Sequence, residues 1–289
     1  MKPAPFDYLG ARSATEALEA LARHGDEAKI LAGGQSLVPM LNMRLSRPAV
    51  VVDINRVAEL EQFAESARVL TVGPLVRQRR LERWAAARAP LVEEVLRAVG
   101  HAAVRTRGTV VGSIVHADPA AELPALLLCL DGAIVARRLG GERTIPAHEL
   151  YVAPLTTSVR ADELVTEARF TLPRPEAGWG FAEVARRHGD FALVGAVAVL
   201  WRGPAGEVAG VRLAFFGAGP TPVRSASGEA ALTGQHPTGE RLRGAAEIAA
   251  RGLSPDSDLH ATAAYRRRVA AVLAERALAG AVARCGRAA

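Results

Sequence analysis

The chain has 289 residues, 49% of them hydrophobic and 23% charged, the balance of an ordinary soluble globular protein long enough for two or three cores. No apolar stretch approaches bilayer-crossing length, and the N-terminal MKPAPFDYLGARS lacks the apolar core of a secretory signal, so stable membrane insertion is not expected and a cytoplasmic address is. The formal charge of +6 comes from scattered arginine, only Lys2 and Lys29 being lysine among 36 basic residues; with 4% aromatic content there are too few rings for base-stacking platforms, and nucleic-acid binding is set aside.

Residues 1–55 read as a small α/β unit. Ser13, with Glu16 three residues on, is a capping box that opens an alanine-rich helix running to about His24. A short strand is expected at 29–32, then Gly33-Gly34, then a helix over 37–45 with Pro39 near its start. PAVVVDI supplies a second buried strand ending at Asp53. Residues 56–175 alternate strands and helices. ARVLTVG, GAIVARR and DELVTEARFTLP are strand-like, and QRRLERWAAA and PLVEEVLRAVG are helical by apolar spacing. RTRGTVVGSIVHADPAAELPALLLCLDG is expected to run extended until a helix begins near Ala121, and Pro173-Arg174-Pro175 reads as a linker. In residues 176–289, FAEVARR, LVGAVAVLW and EVAGVRLAFFG form a three-stranded antiparallel meander. Helices follow at 225–232, 238–251 and about 260–281, which makes this a separate α+β domain.

Cys129 and Cys285 stand apart with no Cys-x-x-Cys pair. The thiols of this chain therefore build neither a zinc nor an iron–sulfur site, and they are expected to be reduced. The glycines carry more information. A strand that leaves through Gly33-Gly34 presents consecutive backbone N–H groups with no Cβ in the way. A helix starting directly afterwards aligns its first N–H groups and its dipole with them, an arrangement suited to phosphate oxygens. Gln35 and Ser36 add side-chain donors; the plain alternative is a tight turn. GGQSLV is not the dinucleotide fingerprint G-x-G-x-x-G, and the chain contains no P-loop G-x-x-x-x-G-K-[ST]. Gly34-Gln35-Ser36-Leu37-Val38 lacks the final glycine of a hydrolase nucleophile elbow.

A second stretch, RGTVVGSIVHADPAAELP, again sets glycine among small hydroxyl residues at Thr109, Gly112 and Ser113 and then supplies Asp118 and Glu122. With Pro119 opening a helix, Asp118 is its N-cap and Glu122 lies one turn along. The two carboxylates are then either caps or acceptors for the hydroxyls of a sugar or ribityl chain. His116, Asp118 and Glu122 as metal ligands lack a second histidine nearby, and no metal site is assigned.

Together, LAGGQSLVP and TVVGSIVHADPAAELP resemble the flavin-binding subunits of the molybdenum hydroxylases: the medium subunit of aerobic carbon monoxide dehydrogenase and the flavin domain of xanthine dehydrogenase. GFAEVARRHGDFALVG and YRRRVAAVLAERAL agree in order and spacing, so the resemblance covers almost the whole chain. It implies an α+β architecture with a vanillyl-alcohol-oxidase-type (PCMH-like) FAD-binding fold, divided into FAD-binding subdomains 1–55 and 56–175 and a C-terminal domain 176–289. It implies that Ala32, Gly33, Gly34, Gln35 and Ser36 wrap the FAD pyrophosphate, flanked by Ile30, Leu31 and Leu37. Thr109, Val110, Val111, Gly112 and Ser113 would form a second diphosphate loop. Glu122, with Asp118 beside it, would contact the polar chain of the flavin, Val165 would lie against the isoalloxazine, and Phe191 would neighbour the ring. The family has Gly-Gly where Val111-Gly112 stands, so Val111 is expected to crowd the phosphates or bend the loop. A side chain at Gly33 is likewise expected to stand where a phosphate oxygen approaches.

The resemblance further implies a division of labour. Substrate is oxidised at a molybdopterin centre on a large subunit, and electrons pass through two [2Fe-2S] clusters on a small subunit to FAD held non-covalently here. A small-molecule acceptor then takes them, in a dimer of heterotrimers. No catalytic acid or base is assigned to this chain, whose part is to hold the ring and tune its potential. A stand-alone FAD-dependent oxidoreductase of the same fold is the alternative. A serine hydrolase using Ser36 and a subunit that has lost its flavin are the readings of other classes.

Overall fold

The computed structural model describes residues 2–286. Its first sheet is parallel. β1 (Asp7–Gly10), α1 (Ala14–His24), β2 (Ala28–Leu31), α2 (Leu37–Asn42) and β3 (Val50–Asp53) give the order β1-β3-β2. Ser13 Oγ accepts the Glu16 N–H at 3.1 Å, while the Glu16 carboxylate takes the N–H of Arg12 instead of Ser13, a one-residue variant of the capping box. α1 lays Ala14, Ala17, Leu18 and Leu21 into one core with Val50, Val52 and Ile54. Because β3 is central, its end and the exit of β2 open on the same edge of the sheet, where parallel sheets hold their ligands.

The helix expected over 37–45 stops at Asn42. Arg44 adopts the left-handed conformation (φ 59°), its N–H bonds to the Leu41 carbonyl, and the Leu45 N–H bonds to Met40. This is a Schellman end made without the usual glycine, which is why the letters gave no stop signal.

The second sheet is antiparallel. In chain order this part holds β4 (Phe63–Ser66), β5 (Val69–Val72), α3 (Gln78–Ala85), α4 (Pro90–Ala98), α5 (Ala102–Arg107), α6 (Val110–His116), α7 (Glu122–Cys129), β6 (Ala133–Arg138), β7 (Gly141–Pro146), α8 (Ala147–Leu150), a separate two-stranded hairpin of β8 (Tyr151–Ala153) and β9 (Thr156–Thr157), and β10 (Leu164–Thr171). The strand order is β4-β5-β10-β6-β7. The β10–β6 register slips between Val165 and Glu167, and the bulged Thr166 gives its carbonyl to the Gln62 amide at 2.9 Å.

Two expectations fail here. Residues 110–116 are helical, not extended: Thr109 caps α6, and Val110, Val111, Ile114 and Ala117 are buried at helical spacing beneath it. Asp118 is not a helix cap. α7 begins at Glu122 with Ala121 as its N-cap, and the Asp118 carboxylate instead accepts the Ala120 N–H at 2.8 Å in the turn before it.

The third sheet, β11 (Gly178–Ala185), β12 (Ala192–Arg202), β13 (Val208–Phe216) and the short β14 (Val223–Arg224), is an antiparallel meander with one strand more than expected. α9 (Ala226–Leu232), α10 (Gly239–Arg251) and α11 (Ala263–Arg284) follow. β12 is apolar without alternation because both its faces are covered. Val197 and Val199 join the core around α7, while Ala196, Ala198 and Leu200 join the core under α10 and α11. α11 lies directly on the sheet: a Cβ at Gly178 or Gly180 would overlap the carbonyls of Ala281 and Ala277. No helix among the described residues is long and apolar enough to cross a membrane.

Candidate functional site

The exit of β2 is a half-buried loop, Ala32 to Ser36, that leads into α2. The backbone N–H groups of Gly33, Gly34, Gln35 and Ser36 have no acceptor among the described residues. Four consecutive N–H groups without a protein acceptor are available to a ligand, and Gly34 makes the run possible by taking φ 73°. The Gln35 amide folds back to the Gly33 carbonyl at 3.3 Å. Ser36 Oγ has no hydrogen bond to a histidine among the described residues, so it lacks the base that a hydrolase reading requires.

The second glycine stretch lies against the first. An ideal Cβ on Gly33 would sit 2.6 Å from the Arg107 carbonyl oxygen, 2.9 Å from Gly108 Cα and 3.0 Å from Thr109 N. The conflict expected between a Gly33 side chain and a phosphate thus falls first on the protein's own second loop. Thr109 Oγ1 accepts the Gly112 N–H at 3.1 Å, and the Val110 N–H goes to the Val76 carbonyl at 3.1 Å. Val111 is 2% exposed and packs into the core with Val110 and Ile114. Its side chain occupies the interior, and the crowding expected of it is not found.

Side chains that the sequence reading passed over hold the two loops together. Asn55 Nδ2 donates to the Ala32 carbonyl at 2.8 Å and to Asp53 Oδ1 at 2.6 Å, while Asn55 Oδ1 accepts from Arg77 at 2.7 Å. The same Arg77 guanidinium donates to the Arg107 carbonyl at 2.7 Å. Burial alone would raise the Asp53 carboxyl. Hydrogen bonds from the Asn55 N–H, the Tyr8 hydroxyl and the Asn55 amide outweigh burial and hold it below its ordinary value. Burial, and then the nearby Arg107 cation, push Arg77 below its ordinary value. A pocket of about 380 Å³ opens along this seam. Leu31 to Gln35, Val38, Pro39, Asp53, Asn55 and Arg107 line it.

The remaining expected residues are spread more widely. Ile30 and Leu31 are half-buried on β2, Leu31 in the wall of that pocket, and Leu37 opens α2. Ser113 is half-buried in α6. Val165 is 6% exposed beside the β10 bulge. Phe191 is 71% exposed before β12 and pairs with no other ring among the described residues. Glu122 is 6% exposed at the first turn of α7, where its own backbone N–H faces the carboxylate. Burial, and then the charge of Glu183, push its carboxyl up to about 8. Glu183 itself is pushed up to about 7 by burial, and its Oε2 is buried without a partner. It lines a second pocket of about 450 Å³ between α4 and β11.

A carboxyl raised in this way stays protonated in the folded ligand-free protein while it ionises in the unfolded chain. Its contribution therefore falls as pH rises from the unfolded value towards the folded one. Glu122→Gln removes that penalty. In urea unfolding of the ligand-free protein, its stability relative to wild type should be nearly level at about pH 5 and rise steadily to about pH 8. A difference that stays flat across this range would show that Glu122 is ionised in the fold.

The geometry fits the diphosphate that the resemblance implies: a run of N–H donors and a guanidinium on the pocket wall, all without partners among the described residues, and a second loop clamped against the first. Comparison with known proteins agrees over the full length. Residues 4–175 match the FAD binding domain in molybdopterin dehydrogenase, and residues 179–281 match the CO dehydrogenase flavoprotein C-terminal domain. The chain is 40% identical over 284 residues to the 6-hydroxypseudooxynicotine dehydrogenase complex subunit alpha of Paenarthrobacter nicotinovorans, covering 98% of this chain and 96% of that one. It is 40% identical over 283 residues to caffeine dehydrogenase subunit beta of Pseudomonas sp. strain CBB1, covering 96% and 95%. Among solved structures, a chain of the carbon monoxide dehydrogenase from Hydrogenophaga pseudoflava superposes with a TM-score of 0.95 at 34% identity, covering 99% of this chain and all of that one. The two phosphate-suited loops, the parallel sheet that presents them and the full-length likeness lead to one conclusion: this chain belongs to the FAD-binding medium subunits of the molybdenum hydroxylases.

Proposed function

We propose that this chain carries FAD non-covalently as the electron outlet of a molybdenum hydroxylase. It takes electrons from [2Fe-2S] clusters on a small subunit after substrate oxidation at a molybdopterin centre on a large one, and a small-molecule acceptor receives them. The assembly is a dimer of heterotrimers in the cytoplasm. The observation that carries the reading is the run of unpaired N–H groups from Gly33 to Ser36 packed against the Arg107–Ser113 loop.

In this reading Ala32 to Ser36 and Thr109 to Ser113 hold the pyrophosphate, and Ile30, Leu31 and Leu37 wall the first loop. Glu122, neutral at pH 7, donates or accepts a hydrogen bond along the ribityl chain with Asp118 beside it, and Val165 and Phe191 belong to the ring end. Bound FAD supplies reversible two-electron chemistry that the side chains of this protein lack. We place the divisions between the two flavin-binding subdomains and the C-terminal domain near residues 55 and 175, so that each of the first two parts brings one loop.

Neither loop contains a histidine or cysteine to which a flavin could be tethered. Acid precipitation of the purified protein should release all the yellow colour as FAD. Colour left on the precipitate, or FMN in the supernatant, counts against the reading. Molybdenum and iron should co-purify in the same complex; their absence favours a stand-alone flavoprotein.

A further inference from the structure

We infer that Arg107 is a direct ligand of the FAD pyrophosphate, held in place through its backbone by Asn55 and Arg77. The inference rests on the flavin reading above and adds to it the cation that leads into the Thr109–Ser113 loop.

Arg107 is the one basic residue in the wall of the pocket beside the Gly33–Ser36 donors. Its side chain is exposed and makes no ion pair or hydrogen bond among the described residues, although its carbonyl accepts from Arg77 at 2.7 Å. The acid in that wall, Asp53, is already committed. One carboxylate oxygen accepts from Tyr8 at 2.7 Å and the other from the Asn55 N–H and amide at 2.8 and 2.6 Å. The Arg107 cation, after burial, lowers Arg77, with Glu61 and Asp53 opposing it, and the Arg107 guanidinium stands beside the run of N–H groups.

The exposed Arg107 guanidinium and the N–H run beside it together suit an anion. The diphosphate is the one part of FAD that carries negative charge at neutral pH, and a guanidinium matches phosphate oxygens with two parallel donors. Arg77 does not line the pocket, and two of its N–H groups are used on Asn55 and on the Arg107 carbonyl. It acts as a positioning residue. The backbone clamp fixes where the Arg107 side chain starts, so less of its freedom is lost on binding.

The test titrates the flavin-free full-length chain with FAD and with riboflavin, which lacks the diphosphate, at low and high ionic strength. Flavin fluorescence is the readout. Arg107→Ala should weaken FAD roughly ten- to hundredfold at low salt, the effect of losing a charge-assisted contact, and leave riboflavin unchanged. The wild-type advantage should shrink at high salt. Arg107→Lys should fall between, retaining the salt dependence but not the forked geometry. Because the side chain is exposed and makes no ion pair or hydrogen bond among the described residues, the unfolding midpoint of the flavin-free variants should match wild type. Arg107→Ala binding FAD within about twofold of wild type, or losing FAD and riboflavin equally, overturns the assignment. Failure of the wild-type chain to bind FAD at all would overturn the flavin reading itself.

Discussion

Gly33→Val should abolish FAD binding at any practical concentration and also loosen the fold around the site. A side-chain carbon at Gly33 begins 2.6 Å from the Arg107 carbonyl oxygen and 2.9 Å from Gly108 Cα, where unstrained contacts lie at about 3.5–4.0 Å. Both neighbours are backbone and cannot swing aside as a side chain would. The second loop must move as a unit, pulling on the Val110–Val76 bond, the Thr109 cap and the Arg77–Arg107 bond together. Two or more charge-assisted hydrogen bonds to the pyrophosphate, each worth roughly 1.5–3 kcal/mol, would be lost at once, which is a hundredfold weakening or more. Overpacking the seam should cost the flavin-free protein about 1–3 kcal/mol besides. FAD titration gives the first quantity and denaturant unfolding of the flavin-free chain the second. Wild-type affinity in this variant would mean that the cradle lies elsewhere. Lost affinity with unaltered stability would restore the simpler picture in which only the phosphate feels the side chain.

That choice marks where the sequence stopped being legible. The strand–glycine–helix passage at residues 29–37 could be read because each of its signals is local: an apolar run, two glycines, then helix-permissive residues. The C-terminal meander was equally plain, since its strands are long and punctuated by turns. The second loop was misread for a reason also visible in the letters. Val110, Val111, Ile114 and Val115 are β-branched and glycine sits among them, which favours a strand by propensity. Yet the buried positions 110, 111, 114 and 117 fall at helical spacing, and tertiary packing followed the spacing.

The clamp was beyond reach in a different way. Asn55, Arg77 and Arg107 are separated by 22 and 30 residues along the chain, and nothing in a scatter of 36 basic residues marks two of them. A signal did exist at Asp53-Ile54-Asn55. Polar residues directly after the central strand of a parallel sheet stand at the edge where ligands bind. Read alone, Asp53 suggested only where the strand ended. In the fold it orients Asn55, whose amide faces one loop through the Ala32 carbonyl and the other through Arg77.

Val111 gives the second large effect, and its sign reverses once the fold is known. On sequence alone, Val111→Gly relieves a crowded phosphate loop and tightens FAD binding. In the structure the valine is 2% exposed, joins the core with Val110 and Ile114, and belongs to the first turn of α6. Glycine there removes three buried carbons at about 0.8 kcal/mol each and leaves a cavity between elements that cannot fully close over it. It also places the least favourable residue short of proline in a helix. The flavin-free protein should lose about 3 kcal/mol or somewhat more, seen as a fall of roughly 5–10 °C in its unfolding midpoint. Val111→Ala, which keeps the Cβ and the helix, should lose about half as much. FAD affinity should stay level or weaken, because α6 carries Gly112 and Ser113 of the second loop and a loosened helix presents them less rigidly. Tighter FAD binding by Val111→Gly at unchanged stability would mean that the valine faces the phosphates after all. The expected order, wild type above alanine above glycine in stability with no gain in affinity, would instead show that Val111 serves core packing and does not face the ligand.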